Sequence, residues 1–138
     1  MCLEIRFIVT MAKIMVVDDE PDIVYVVREM LKRRGYEVVG ANSGEEALEK
    51  IKKEKPDLVL LDIMMPGIDG WETCKRIKEG EDTKDVLVAM LTVMDSEPNK
   101  EKSFQFSGAD AHITKPLIED KILSTVEWLL RNKAKKRD

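Results

Sequence analysis

Leu58-Val-Leu-Leu-Asp62 carries no polar side chain until its last residue, and Pro56-Asp57 sets it off from what precedes. An apolar run this short, bounded by a turn signal, reads as a strand buried on both faces, as in parallel sheets covered by helices. Two further predicted strands also end on charged residues. Lys13-Ile-Met-Val-Val17 is followed by Asp18 and Asp19, and Ala111-His-Ile-Thr114 by Lys115 and Pro116. In a parallel sheet all strands point one way, so these tips meet on one edge. Carboxylates forced together repel unless a cation joins them, and a nearby base can pair with an incoming anion. The set reads as a site for a divalent metal ion and a phosphoryl group.

Working outward, strand and helix patterns alternate five times. After the first strand, Ile23, Val26, Val27, Met30 and Leu31 share one helical face, with Pro21 at its start and Gly35 at its end. A second strand spans Glu37–Ala41, and a helix over 44–54 turns Ala47, Leu48 and Ile51 inward. The third helix places Trp71, Cys74 and Ile77 on one side. Strand four covers Val86–Leu91, a short fourth helix runs from about Glu97 to Ser107, and strand five is Ala111–Ile113. The fifth helix follows Pro116, with Ile118, Ile122, Val126 and Leu129 as its stripe. This alternation predicts an α/β fold, a doubly wound five-stranded parallel sheet with helices on both faces. Ligands of such sheets bind beyond the carboxyl ends of the strands, where the marked acids and Lys115 lie.

The 138 residues suit one domain, and 43% hydrophobic content is ordinary for a globular chain. A net charge of −4 gives no general attraction to nucleic acid or anionic lipid. Cys2 and Cys74 are too few and too far apart for a metal knuckle or disulfide framework, so both read as reduced thiols of a cytoplasmic protein. No apolar stretch approaches the roughly 20 residues that cross a bilayer.

Each candidate has a plainer reading beside it. Adjacent acids such as Asp18-Asp19 often sit in a solvated turn, but this pair ends a buried strand and a second acid ends another. Mg²⁺ takes few carboxylates, completing its shell with water and phosphate oxygens, and this arrangement suits it. Asp62 is the candidate nucleophile, since a carboxylate can attack phosphorus; the plain reading is a loop cap before Pro66. Thr92 offers a hydroxyl to a phosphoryl oxygen, or is simply a β-former. Lys115 is counter-charge for phosphate, or surface charge.

The run Ile14-Met-Val-Val-Asp-Asp-Glu20, then Asp57 through Gly70, then Leu91-Thr92, then Gly108-Ala-Asp-Ala-His-Ile-Thr-Lys-Pro116, resembles the receiver domain of two-component response regulators, over about residues 12–131. The resemblance implies a flavodoxin-like sheet in strand order 2-1-3-4-5. It makes Asp62 the phosphoacceptor. It gives Mg²⁺ to Asp18, Asp19, Asp62 and the backbone carbonyl of Met64. Thr92 becomes the switch hydroxyl, with His112 as the second switch position, and Lys115 the phosphate-pairing lysine. The implied donor is a histidine kinase or phosphotransfer protein. The implied output face is the fourth helix, fifth strand and fifth helix, which also serves for homodimers.

The chain departs from the family pattern at several positions. Val93 stands where a small residue is usual, and His112 where Tyr or Phe is common. Met64 and Met94 occupy positions that influence dephosphorylation; neither orients water, which predicts a long-lived phosphoryl state. Phe104 and Phe106 cannot both join one helical stripe, and Trp128 lies off its own, so an aromatic on each of helices four and five either faces outward beside strand five or lies flat over neighbouring side chains.

Residues 1–11 are expected as an N-terminal extension, in which Leu3, Ile5, Phe7 and Val9 alternate with a strand-like period; 12–131 as the receiver; and 132–138 as a basic, solvated tail. The whole reads as a stand-alone phosphoacceptor, not an enzyme with turnover, acting on an unknown output protein without binding DNA or membrane. Two alternatives remain beside it: an aspartate-nucleophile phosphohydrolase, and a receiver-like scaffold that is never phosphorylated. Met64 disfavours the first, holding the position of a second acid; the full set Asp18, Asp19, Asp62, Thr92 and Lys115 disfavours the second.

Overall fold

The computed structural model describes residues 12–93 and 107–136. In chain order the elements are β1 (Lys13–Val17), α1 (Pro21–Lys32), β2 (Glu37–Ala41), α2 (Gly44–Glu54), β3 (Leu58–Asp62), α3 (Gly70–Glu79), β4 (Leu87–Val93), β5 (Ala111–Lys115) and α4 (Glu119–Lys136). The predicted fourth helix, with Phe104 and Phe106, lies outside the described residues except for its last residue, Ser107. So do Met94, Cys2, the alternating residues 3–10, the end of the basic tail and the side chain of Val93. The last described helix, α4, is therefore the fifth predicted one.

All five strands are parallel, in the order β2-β1-β3-β4-β5. Successive side chains of a strand point to opposite faces, which creates two cores. Ile14, Val16, Leu58 and Leu60 pack with Val27 and Leu31 of α1 and Ile122 and Val126 of α4. Met15, Val17, Val59 and Leu61 pack with Ala47 and Ile51 of α2 and with Trp71, Cys74 and Ile77 of α3. Strands β1 and β3 are buried at nearly every position because both of their faces are covered, and no helix of the described residues is long and apolar enough to cross a membrane.

Two details correct the helix faces. Val26 is exposed and Val24 is buried in its place. Residues 23–27 are Ile-Val-Tyr-Val-Val, so periodicity leaves the rotation of α1 open. Gly40 settles it, because Val24 Cγ1 occupies the space that a side chain at position 40 would need. Ile118 is also exposed, because it precedes α4 and supplies the carbonyl that receives the N–H of Ile122 at 3.0 Å. Ile122, Val126 and Leu129 are buried as expected, and Trp128 is 62% exposed.

The strands run further than their apolar residues. Asp62 pairs with Leu91, Thr92 with Thr114 and Val93 with Lys115. Backbone ladders are indifferent to side-chain polarity, so the polar tips stay in register and are held by the sheet.

Candidate functional site

The site is built on the carboxyl ends of β1, β3, β4 and β5. Asp18 directly follows β1, and its backbone N–H donates to the Ala41 carbonyl at 3.2 Å, prolonging the pairing with β2. Its side chain is 2% exposed. Oδ1 accepts from the Glu20 N–H at 3.0 Å, whereas Oδ2 is buried without a hydrogen-bond partner. Asp62 ends β3 at 5% exposure, and its Oδ1 accepts from Lys115 Nζ at 3.0 Å. The same ammonium stands 4.0 Å from Asp18 Oδ2. Asp19 is exposed at the rim. One carboxylate oxygen from each of Asp18, Asp19 and Asp62 lies within 4.8 Å of the others.

Burial and like charge act on these acids together. Burial, with the charges of Asp62 and Asp19, pushes Asp18 up to about 6 despite its backbone hydrogen bond and Lys115. Asp62 is also raised, chiefly by burial, against the hydrogen bond and charge of Lys115. For Lys115 burial works against the ammonium, but the hydrogen bond and charge of Asp62, with Asp18 behind, outweigh it and hold its pKa above the ordinary value. Two buried acids whose charged forms burial disfavours, one with an oxygen that no hydrogen bond satisfies, beside a third at the rim, fit a divalent cation.

The turn after β3 forms the wall. Gly70 opens α3 close beneath β3, its N–H donating to the Ile63 carbonyl at 2.7 Å. A side chain there would collide with the Asp62 carbonyl oxygen and Ile63 Cα. Asp69 caps α3, accepting from the Glu72 N–H at 2.8 Å. The cavity so enclosed measures about 690 Å³, lined among others by Asp19, Asp62, Met64, Trp71, Thr92 and Lys115.

Residues 14–127 match the response regulator receiver domain family. The chain belongs to this family. It is 43% identical over 119 residues to the alkaline phosphatase synthesis transcriptional regulatory protein PhoP of Bacillus subtilis, covering 86% of this chain and 48% of that protein. The chain therefore spans about half the length of that curated relative. Among solved structures it is similar to the N-terminal domain of a response regulator receiver protein from Methanoculleus marisnigri, at 44% identity and a TM-score of 0.69, covering 86% of this chain and 96% of that one. The chemotaxis protein CheY4 of Vibrio cholerae matches at 33% identity and a TM-score of 0.80, covering 86% and 98%.

In this receiver the structure gathers six of the seven expected residues: Asp18, Asp19, Asp62 and Lys115 in contact range, with Met64 and Thr92 on the same cavity. His112 is different. It is exposed on β5, in register with Met90, and does not line the cavity. Trp71, read from periodicity only as core, is both buried and a wall of the cavity. Its place immediately after Gly70, where the turn that follows Asp62 enters a helix, was the available signal. Glu20 and Asp69 also line the cavity and had carried no expectation.

Proposed function

We propose that this receiver takes a phosphoryl group from the phosphohistidine of a histidine kinase or phosphotransfer protein onto Asp62. The observation that carries the reading is the Lys115 ammonium 3.0 Å from Asp62 Oδ1, inside a cluster whose other members are Asp18 and Asp19. An oxygen of Asp62 attacks phosphorus, the phosphorus–nitrogen bond breaks, and its electron pair stays on the donor imidazole. Asp18, Asp19, Asp62 and the Met64 carbonyl would hold Mg²⁺, which when bound supplies positive charge to the phosphoryl oxygens. Lys115 pairs with the transferred group, and the Thr92 hydroxyl donates to it.

Phosphorylation replaces a buried carboxylate by a larger and more negative acceptor. Lys115 and Thr92 contact it in one of two states and bias the equilibrium toward that state. Because both lie at the ends of β4 and β5, the change is passed to the face formed by β5 and α4, where Ile118 and Trp128 are exposed. His112, exposed on β5, lies along that path. Output runs through a partner that reads this face.

Met64 supports an acceptor over a phosphohydrolase. It stands two residues after Asp62 with its side chain 74% exposed, and a thioether neither gives nor takes a proton. The test is incubation with a small acyl phosphate and Mg²⁺, followed by intact mass. A single phosphoryl adduct, absent in Asp62→Asn and slow to decay, is expected. Continuous phosphate release would favour the hydrolase, and no adduct even from a kinase would leave only a binding scaffold.

A further inference from the structure

The turn between β3 and α3 is held at its base by the bond from the Gly70 N–H to the Ile63 carbonyl, at 2.7 Å. Its far side rests on the first turn of α2. There the Ile68 N–H donates to Glu45 Oε2 at 3.2 Å. Gly67 sits at a φ of 80°, and a side chain at 67 would overlap the same carboxylate. One position earlier in α2, Gly44 lacks the side chain that would strike Thr73 Oγ1 and Ile68 Cγ1. Gly67 thus clears space for the Glu45 carboxylate in the bend of the acceptor turn, and Gly44 lets Ile68 and Thr73 come close to α2. Glu45 itself is exposed and adds nothing to either core.

We propose that Glu45 is a positioning residue for the acceptor turn: by accepting from Ile68, beside the bend at Gly67, it fixes the backbone that leads from Asp62 through Met64, and divalent-cation binding by Asp18, Asp19 and Asp62 depends on it. The inference rests on the metal-assisted reading above and adds a residue that lies outside the cavity. A site is only as well ordered as the groups that hold its ligands, and the net worth of one typical hydrogen bond, if fully coupled to the site, corresponds to about fivefold in binding. Gln at 45 keeps an acceptor oxygen for Ile68, whereas Ala does not.

The test uses the full chain, with Mg²⁺ alone as the probe. Amide shifts followed by NMR give the Mg²⁺ affinity, and amide exchange at Ile68 without Mg²⁺ reports the hydrogen bond directly. Glu45→Ala is expected to weaken Mg²⁺ binding about fivefold and to speed Ile68 exchange. Glu45→Gln is expected to restore both, and Glu49→Ala, one turn along the same exposed face, to change neither. Unchanged affinity or unchanged Ile68 exchange in Glu45→Ala overturns the proposal, as does failure of Glu45→Gln to rescue. If Glu45→Ala binds Mg²⁺ normally while Asp62 still accepts phosphate, this inference alone has failed. If the wild type shows no Mg²⁺ response, both have failed.

Discussion

Lys115 donates from Nζ to Oδ1 of Asp62 at 3.0 Å, joining residues 53 positions apart on strands that do not touch each other. β4 lies between β3 and β5, so the bond is made beyond the strand ends, over the top of β4. The long side chain of lysine allows that reach. Replacing Lys115 by Met removes the cation that faces both Asp62 and the incoming phosphoryl group. Phosphoryl transfer from a small donor, followed by intact mass, is expected to slow about tenfold or more. A rate within twofold of wild type would remove Lys115 from the chemistry.

Asp18 makes the acid cluster sensitive to pH. Its folded pKa of about 6 lies above the ordinary 3.8, so between these values the folded state binds more protons than the unfolded one. Stability without a divalent ion is therefore full below about pH 4 as far as this group is concerned. It falls as pH rises through the window, by on the order of 2–3 kcal/mol at neutral pH. Asp18→Asn should raise the neutral-pH Tm, flatten that dependence and abolish the rise in Tm that Mg²⁺ gives the wild type. Thermal melts from pH 4 to 8 with and without Mg²⁺ decide it.

Gly70→Ala tests the packing of α3 under the acceptor. The new methyl meets the Asp62 carbonyl and Ile63 Cα, both backbone atoms that cannot swing aside. A loss of about 1–3 kcal/mol in urea unfolding is expected, together with slower phosphorylation of Asp62. Full stability would show that α3 can shift away without consequence.

Trp128→Ser should leave the Tm unchanged, since the ring is 62% exposed and surface changes fall within about 0.5 kcal/mol. It should weaken association of the phosphorylated protein with itself or its target, read by sedimentation. A clear fall in Tm with no change in association would make the ring a structural cover.

Cys74 is fully buried, its thiol donates to the Ser107 carbonyl at 3.4 Å, and burial pushes its pKa up to about 11. Alkylation at pH 8 mapped by peptide mass should miss Cys74 in the native protein and find it only in urea. Rapid native labelling would mean that α3 opens readily from the sheet.

Much of this was written locally. The period of the apolar residues marked the strands and helices, and the residue that broke each apolar run marked the tip of a strand. For Lys13–Val17 and Glu37–Ala41 the bounds agree with the structure, because the ends of the apolar pattern and of the ladder coincide. They do not coincide at β4 and β5, where hydrogen bonding carries the strands past Leu91 and Ile113 and takes Thr92 and Lys115 into the sheet. The face of α1 was legible in Ile23, Val27, Met30 and Leu31 but not in its exact rotation, since residues 23–27 are all largely apolar and Gly40 on another element chooses Val24 over Val26.

The amino-acid sequence alone determined the order of the strands and helices among the described residues, the two-sided burial of the central strands, and the acids and lysine at their ends. Through its resemblance it also pointed to the receiver family. These follow from side-chain periodicity and residue type, which act between near neighbours in the chain. Only the tertiary structure decided that Lys115 bonds Asp62 while standing 4.0 Å from Asp18, that Asp18 keeps an unsatisfied buried oxygen, that His112 stays outside the cavity, and that Glu45 accepts from Ile68 in the turn after β3. Each depends on distances across separate elements and on the water excluded between them, and no local pattern encodes either quantity.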